Sequence, residues 1–459
     1  MIRLFNTYFP IRTLLLTLSE VILVTSIFLL SVILSAGTAL NARIYLLYEN
    51  GAGRIGLVVL VFLMLMYYFD LYNSSILTNR REVITRLVGV LGCTFVALAA
   101  LYYTFPEASL AGTILWSSIG VIAVAVPVWR SCFFVLNRSA RFAERTVIYG
   151  DGPLTAPLMD AIFRRPELGL RIAGYVGNEP QIAGIPNVDP NGLAEFVKRE
   201  GVRRIIVTMG DRRGKLPVGE LCKLKGSGIQ IQDGPEYYET VTGKIPLESL
   251  RLGWLLFSPG FHVRTPLRLY KRMFSLIFGS IALVLASPLM ALAAVAIKLD
   301  SRGPVLFRQP RVGEHEKLFT VYKFRSMYDG SDREGLHPAQ HGDPRVTRVG
   351  KWLRRSRLDE LPQLFNVITG DMAFVGPRPC SLKDEEECAA QIPFYRERWL
   401  IKPGVTGWAQ INRGYNATID EHREKLSYDL FYIKNVSVGL DIVILFVTLK
   451  ILLLGRGGR

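Results

Sequence analysis

The chain has 459 residues, which allows about three domains at roughly 150 residues each. Half of the residues are hydrophobic, mean hydropathy is +0.26, net charge is +16 and the pI is about 9.7. Together these values exclude an ordinary soluble domain. They point to a membrane protein whose cationic parts face anionic lipid or phosphorylated groups, and not to a nucleic-acid binder.

Four long apolar segments fill the first third, over residues 12–36, 55–71, 84–104 and 111–129. Each is near the roughly 20 residues that a bilayer needs. The first is too long for the apolar core of a cleavable signal peptide and reads as a span. Arg80, Arg81 and Arg86 lie between the second and third segments, and Arg130, Arg138, Arg141 and Arg145 follow the fourth. The loop 105–112 between the third and fourth segments carries no Lys or Arg. Basic loops stay on the cytoplasmic side, so residues 1–130 read as a four-span bundle with both ends in the cytoplasm. Arg43 and Arg54, in the first outside loop, count slightly against this orientation.

Residues 146–250 read as a small α/β, Rossmann-like domain. TVIYGDG (146–152), RIAGYVGN (171–178) and RRIIVTMG (203–210) are buried-strand patterns that alternate with helical ones. Gly150 and Gly152 open a G-x-G-x-x-G pattern, but Thr155 takes the place of the third glycine. The expectation is a tight strand-to-helix turn in a non-catalytic domain.

Residues 268–300 form a fifth apolar run, interrupted by Ser287-Pro288. Proline removes a backbone donor and clashes with the turn before it, so a kink or break is expected there. A plain span would deliver the Lys- and Arg-rich residues 301–459 to the outside. A re-entrant hairpin bent at Ser287-Pro288 would keep both ends inside. The final run, 438–459, is short for a span and reads as an interfacial helix. Cys93, Cys132, Cys222, Cys380 and Cys388 form no C-x-x-C pair or zinc set and read as free thiols.

The segment 301–435 carries groups suited to phosphate chemistry. In KWLRRSRLDELPQLFN (351–366), four cations precede the adjacent carboxylates Asp359 and Glu360. Ser356 and Asp359 fit a capping box, so the acids are expected in a first helical turn. YKFRSM (322–327) would place Lys323 and Arg325 on one face of a strand. VGPRP (375–379) fixes Arg378 between two prolines. A diphosphate repels an attacking oxyanion, and arginines, a lysine and a divalent metal would offset that repulsion. In this reading Asp359 attacks phosphorus, the cations hold it ionised, and Glu360 binds Mg²⁺.

GPVLFRQPRVG (303–313), YKFRSM, the run 343–372, VGPRP, KPGVTGWAQ (402–410) and YDLFYIKN (428–435) resemble, in order, the bacterial sugar transferases. The family comprises polyprenyl-phosphate hexose-1-phosphate transferases, or phosphoglycosyl transferases of the large monotopic type. The late loop 411–426 and the YDLFYIKN ending resemble the exosortase- and exopolysaccharide-associated members. The resemblance implies a C-terminal α/β catalytic domain over 301–459, on the cytoplasmic face of the bacterial inner membrane, anchored by a re-entrant helix at 268–300. It implies transfer of hexose-1-phosphate from a UDP-hexose to undecaprenyl phosphate, with UMP released and Mg²⁺ used. The covalent phosphosugar intermediate would form on Asp359, and Lys323, Arg325, Arg354 and Arg378 would contact phosphate. Ala373 replaces the family's usual Ser, and Asn412-Arg413-Gly414 departs from its usual Gly-Arg, so the sugar is not carried over. Two alternatives remain: a glycosyltransferase releasing UDP, although the chain has no Asp-x-Asp, or a non-catalytic scaffold binding lipid-linked sugar. A homodimer is left open.

Overall fold

The computed structural model describes the chain except residues 5, 74–79, 139–142, 179–183, 211, 213–215, 251–257, 259, 262–264, 332–342, 414–417 and 455–459. Part of the basic segments at 79–86 and 129–145, and of the late loop 411–426, therefore lies outside the described residues. The rest divides into two compact units, residues 1–2 with 8–237 and residues 3–7 with 238–459.

The first unit begins with α1 (Ile11–Ala36), α2 (Ala39–Leu47), α3 (Gly51–Tyr68), α4 (Arg80–Thr104) and α5 (Gly112–Arg138). Among the described residues, five helices are long and apolar enough to cross a membrane: α1, α3, α4, α5 and a later one described below. Short α2 was not foreseen. Val24, Phe28, Ile55, Phe62, Val90, Leu98 and Val126 pack inside the bundle, while Leu30, Leu34, Val88, Val96 and Val124 are exposed on its outside. An apolar exterior around an apolar core suits hydrocarbon as solvent. One ion pair is sealed within the bundle. Arg130 donates from Nε to Glu20 Oε1 at 2.6 Å and from Nη2 to Glu20 Oε2 at 3.1 Å. Its Nη1 donates to the Leu71 carbonyl at 2.7 Å, and Tyr72 Oη donates to Glu20 Oε2 at 2.7 Å.

The same unit continues into β1 (Glu144–Tyr149), α6 (Thr155–Phe163), β2 (Leu170–Val176), α7 (Leu193–Glu200), β3 (Arg204–Val207), α8 (Val218–Gly226) and β4 (Gln230–Asp233). The strands are all parallel, in the order β2-β1-β3-β4. This is the doubly wound arrangement, with its switch point between β1 and β3. Thr155 knits the turn after β1 together. Its hydroxyl accepts from Gly152 N at 3.2 Å and donates to Thr208 Oγ1 at 2.8 Å, and Thr208 in turn donates to the Gly150 carbonyl at 2.7 Å. Gly150 needs φ +101°, and a Cβ on Gly152 would strike the Thr208 carbonyl.

Helix α9 (Gly234–Thr242) crosses from one unit into the other. The sequence ended the middle domain at 250, but residues 238–250 belong with the C-terminal unit. Ile245 is fully buried with Tyr395, Phe431, Tyr432 and Leu440. Ile245 N donates to the Ser427 carbonyl, and Trp408 Nε1 donates to the Gly243 carbonyl at 2.9 Å.

The C-terminal unit then has α10 (Thr265–Asp300), β5 (Leu306–Val312), β6 (Leu318–Phe324), α11 (Arg348–Arg355), α12 (Gln363–Thr369), β7 (Ala373–Val375), α13 (Leu382–Gln391), β8 (Gly404–Thr406), α14 (Trp408–Asn412), α15 (Ile419–Lys434) and α16 (Val438–Leu453). Its strands form two separate ribbons, antiparallel β5–β6 and parallel β7–β8, and not one larger sheet. Helix α10 continues through Ser287-Pro288, where a kink or break was expected, so the chain does not break there. Pro288 cannot supply an N–H to the Val284 carbonyl one turn back, and Ser287 Oγ donates to that carbonyl instead, at 2.8 Å. Both halves of α10 lie on the same unit. Near its start, Arg272 donates to the carbonyls of Val367 and Ile368, and Ser275 Oγ accepts from Phe374 N. Near its end, Met290, Ala293 and Ile297 pack with Phe324 and Leu353. The opposite face exposes Leu269, Met273, Ile277, Ile281, Leu285, Leu292 and Leu299. Helix α16 is likewise two-faced, with Leu440, Asp441 and Ile444 buried and Val438, Ile442, Leu449 and Leu452 exposed.

Candidate active site

Asp359 and Glu360 lie in a 3₁₀ turn, Leu358–Glu360, between α11 and α12. The capping box is not formed. Ser356 closes α11, its hydroxyl donating to the Trp352 carbonyl at 2.9 Å. Arg357 then takes the left-handed conformation at φ 55°, which reverses the chain into the turn. A non-glycine residue there costs energy and is found where the surroundings hold it.

Those surroundings come from three directions. Thr347 caps α11 by accepting from Gly350 N at 2.9 Å, and Asp300 at the end of α10 accepts from Val349 N at 3.0 Å. Helix α11 lies directly on Ser326, where a Cβ on Gly350 would strike the Ser326 carbonyl. On the other side, fully buried Asn366 fastens α12 to β6. It donates to the Thr320 carbonyl at 2.7 Å and accepts from Tyr322 N at 3.1 Å.

Two predicted cations converge on Glu360. Lys323 Nζ, from β6, lies 3.2 Å from Glu360 Oε1. Arg378, from the loop after β7, engages both carboxylate oxygens through its fork, from Nη2 to Oε1 and from Nη1 to Oε2 at 3.3 Å. The Glu360 side chain keeps 17 % of its surface. Among the described residues, no donor is bonded to the Asp359 carboxylate. Arg354, on the last turn of α11, acts on Asp359 through its charge.

The electrostatics reverse one expectation. Burial raises the Asp359 carboxyl, the adjacent Glu360 charge adds to this, and Lys323, Arg354 and Arg378 offset only part of it. Asp359 stands at about 6. Burial acts on Glu360 too, but Arg378 and Lys323 outweigh it and hold Glu360 well below the usual carboxylate range. The cations therefore keep Glu360 charged first, and Asp359 is the weaker acid of the pair.

Arg325 does not join them. It lies one residue beyond the end of β6, so strand alternation no longer fixes where it points. It is 5 % exposed and donates to the carbonyls of Ser301 and Arg302 at 2.7 and 2.8 Å, and to Ser301 Oγ at 2.8 Å. It ties the end of β6 to the end of α10, away from Glu360.

Sequence reasoning missed two buried ion pairs behind the VGPRP loop. Lys271 of α10 meets Asp441 of α16 at 3.2 Å, and Arg398 meets Asp429 of α15 at 2.6 Å. The partners are far apart in sequence, and no local pattern marks them. The pair Asp359 and Glu360 offers adjacent carboxylates, and among the described residues no set of three or more His, Cys, Asp or Glu side chains gathers to hold a metal. That donor set fits Mg²⁺, which takes one or two carboxylates and completes its shell with phosphate oxygens and water. A cavity of about 220 Å³ beside α8, lined by Leu216, Leu221, Ile231 and Asp233, includes none of these residues.

Two family models match the chain, one described as bacterial sugar transferase over residues 267–455 and one as CoA-binding domain over residues 67–215. The UDP-N-acetylgalactosamine-undecaprenyl-phosphate N-acetylgalactosaminephosphotransferase of Aeromonas hydrophila is 46 % identical over 266 residues, 56 % of this chain and 62 % of that one. The undecaprenyl-phosphate glucose phosphotransferase of Komagataeibacter xylinus is 47 % identical over 323 residues, 68 % of this chain and 59 % of that one. The chain thus spans about three fifths of the length of these two relatives. The UDP-glucose:undecaprenyl-phosphate glucose-1-phosphate transferase of Escherichia coli strain K12 is 35 % identical over 345 residues, 72 % of each chain.

Proposed function

The chain belongs to the bacterial sugar transferase family, and on that premise we propose that it moves hexose-1-phosphate from a UDP-hexose to undecaprenyl phosphate, releasing UMP. The observation that carries the reading is the division within one turn. Glu360 is gripped by Lys323 and Arg378, while Asp359 is partly buried with no bonded donor among the described residues.

In the first step, the Asp359 carboxylate attacks the phosphorus bonded to the sugar. The bond from that phosphorus to the bridging oxygen breaks, and UMP leaves with the electron pair. In the second step, an oxygen of undecaprenyl phosphate attacks the same phosphorus. This restores the carboxylate and gives undecaprenyl-diphosphate-sugar. Lys323, Arg378 and Arg354, gathered around the acidic turn, would offset the charge of the diphosphate. When bound, Mg²⁺ would be held by Glu360 and would withdraw charge from the phosphate oxygens. Product on this lipid would begin assembly of an exopolysaccharide repeat.

The apolar exterior of α1 and α3–α5 supports a four-span bundle in the bacterial inner membrane, with the arginine-bearing segments on the cytoplasmic side. For α10, packing of both halves on one unit supports both ends lying on that same side. Residues 271 to 297 of a helix rise about 39 Å, so a straight span would carry much of the unit through the bilayer. A re-entrant anchor, its exposed stripe in lipid, avoids this, and α16 fits an interfacial helix.

The test is nucleotide release. Purified protein in nanodiscs with Mg²⁺, undecaprenyl phosphate and a panel of UDP-hexoses should release UMP, dependent on lipid and on Asp359. Release of UDP would mean transfer of the sugar alone and would end this assignment.

A further inference from the structure

We infer that Arg398, held by Asp429 and Tyr395, is a positioning residue for Arg378, fixing its main chain so that the guanidinium fork meets the acidic turn. The inference rests on the role proposed above for Arg378.

The loop that carries Arg378 is tied at successive carbonyls. The Val375 carbonyl accepts from Lys271 Nζ at 2.6 Å and from Tyr432 Oη at 3.3 Å. The Pro377 carbonyl accepts from Gly404 N at 2.8 Å, and Gly376 N donates to the Thr406 carbonyl at 2.8 Å. The Arg378 carbonyl accepts from Arg398 Nη2 at 3.2 Å. Most of these ties are backbone contacts or lie one or more residues away. Arg398 donates to the Arg378 carbonyl itself at the shorter distance, with Cys380 Sγ reaching the same oxygen at 3.9 Å.

Arg398 is well placed to act as a fixed point. It is 4 % exposed and lies over the rings of Tyr395 and Trp399. Its Nη2 also donates to Asp429 Oδ2 at 2.6 Å, and its Nη1 donates to Tyr395 Oη at 2.7 Å and to Cys380 Sγ at 3.0 Å. Asp429 is 1 % exposed. A planar fork can serve these directions at once, whereas the single ammonium of lysine cannot. No bond joins Arg398 to Asp359 or Glu360 among the described residues. Its influence on them runs through the main chain of residue 378. Arg378 must meet two oxygens of one carboxylate, a geometry that a small shift of its Cα would spoil.

The test is a double-mutant cycle on Arg398→Lys and Arg378→Lys in nanodiscs, reading kcat, KM, the dissociation constant for the UDP-sugar and the melting temperature. Arg398→Lys should lower turnover about 10- to 100-fold, the scale of a misplacement near 1 Å. Added to Arg378→Lys it should cost no more than about twofold, because residues acting through one another do not add. Losses that multiply would overturn the inference, as would wild-type turnover in Arg398→Lys. If Arg398→Lys fails to fold, Tyr395→Phe takes its place, removing one hydroxyl while keeping the ring, and the same non-additivity is expected. A wild type that releases UDP would end the phosphosugar reading, yet the cycle could still be scored on that product. With no turnover at all, it is scored on UDP-sugar affinity.

Discussion

Asp359 and Glu360 are neighbours in one turn, yet they respond to different forces, and the pH dependence should separate them. On the proposed mechanism Asp359 must be ionised to attack, and at about 6 it is half protonated in mildly acidic solution. Turnover should fall as the pH drops through 6, measured as kcat/KM against pH. The sign for stability is opposite. A carboxyl raised above its unfolded value favours the fold at low pH, and that contribution is lost as the pH rises through 6. Asp359→Asn should therefore abolish turnover, by more than about 10³-fold, while melting no lower than wild type at pH 7.5. Glu360 is depressed, so it stabilises the fold at neutral pH and ceases to do so in strong acid. Glu360→Gln should cost roughly 10- to 100-fold in activity, with a higher Mg²⁺ requirement, and should lower the melting temperature at pH 7.5. Sequence alone pointed to both acids, Lys323 and Arg378. It did not reveal which acid the cations would hold, because that depends on Arg357 reversing the chain. Nor did it show that Arg325 turns to the end of α10.

Among the elements, α10 was legible as an apolar helix with a proline, and the sequence left a kink or a break open where the helix in fact continues. The reason is a side chain: Ser287 Oγ supplies the Val284 carbonyl with the donor that Pro288 lacks. Ser287→Ala leaves that carbonyl without this bond inside an exposed apolar stretch, and should lower the melting temperature slightly, by the order of 1 kcal/mol of stability. Single cysteines at Pro266 and Ser301, in a background without the native thiols, should react with an impermeant maleimide from the same side of a sealed vesicle. Labelling from opposite sides would make α10 a plain span. The strands around the site were less legible. YKFRSM reads as a strand by alternation, but β7 and β8 are only three residues each. Their pairing depends on Gly376 and Gly404 approaching more closely than any Cβ allows.

At the scale of the molecule, the bundle and the parallel sheet could be read from hydropathy and strand spacing, because both repeat a short pattern many times. The boundary between units could not, since Ile245 is one apolar residue in an unremarkable stretch and only the fold shows it in the core of the C-terminal unit. A fragment starting at residue 234 should therefore fold and keep UMP release. One starting at 265 loses Ile245 from that core and the Gly243 carbonyl that Trp408 bonds, and should aggregate or melt well below it, as judged by size exclusion and thermal unfolding. The sealed pair of Glu20 and Arg130 has a consequence for the order in which the protein is made. Their positions differ by 110 residues. At about 5–20 residues per second, the ribosome needs roughly 5–20 s to travel from one to the other. Throughout that interval the first helix is already synthesised while its counter-charge does not yet exist. Until then Glu20 lacks Arg130, and α1 can settle to its final depth only once α5 has arrived.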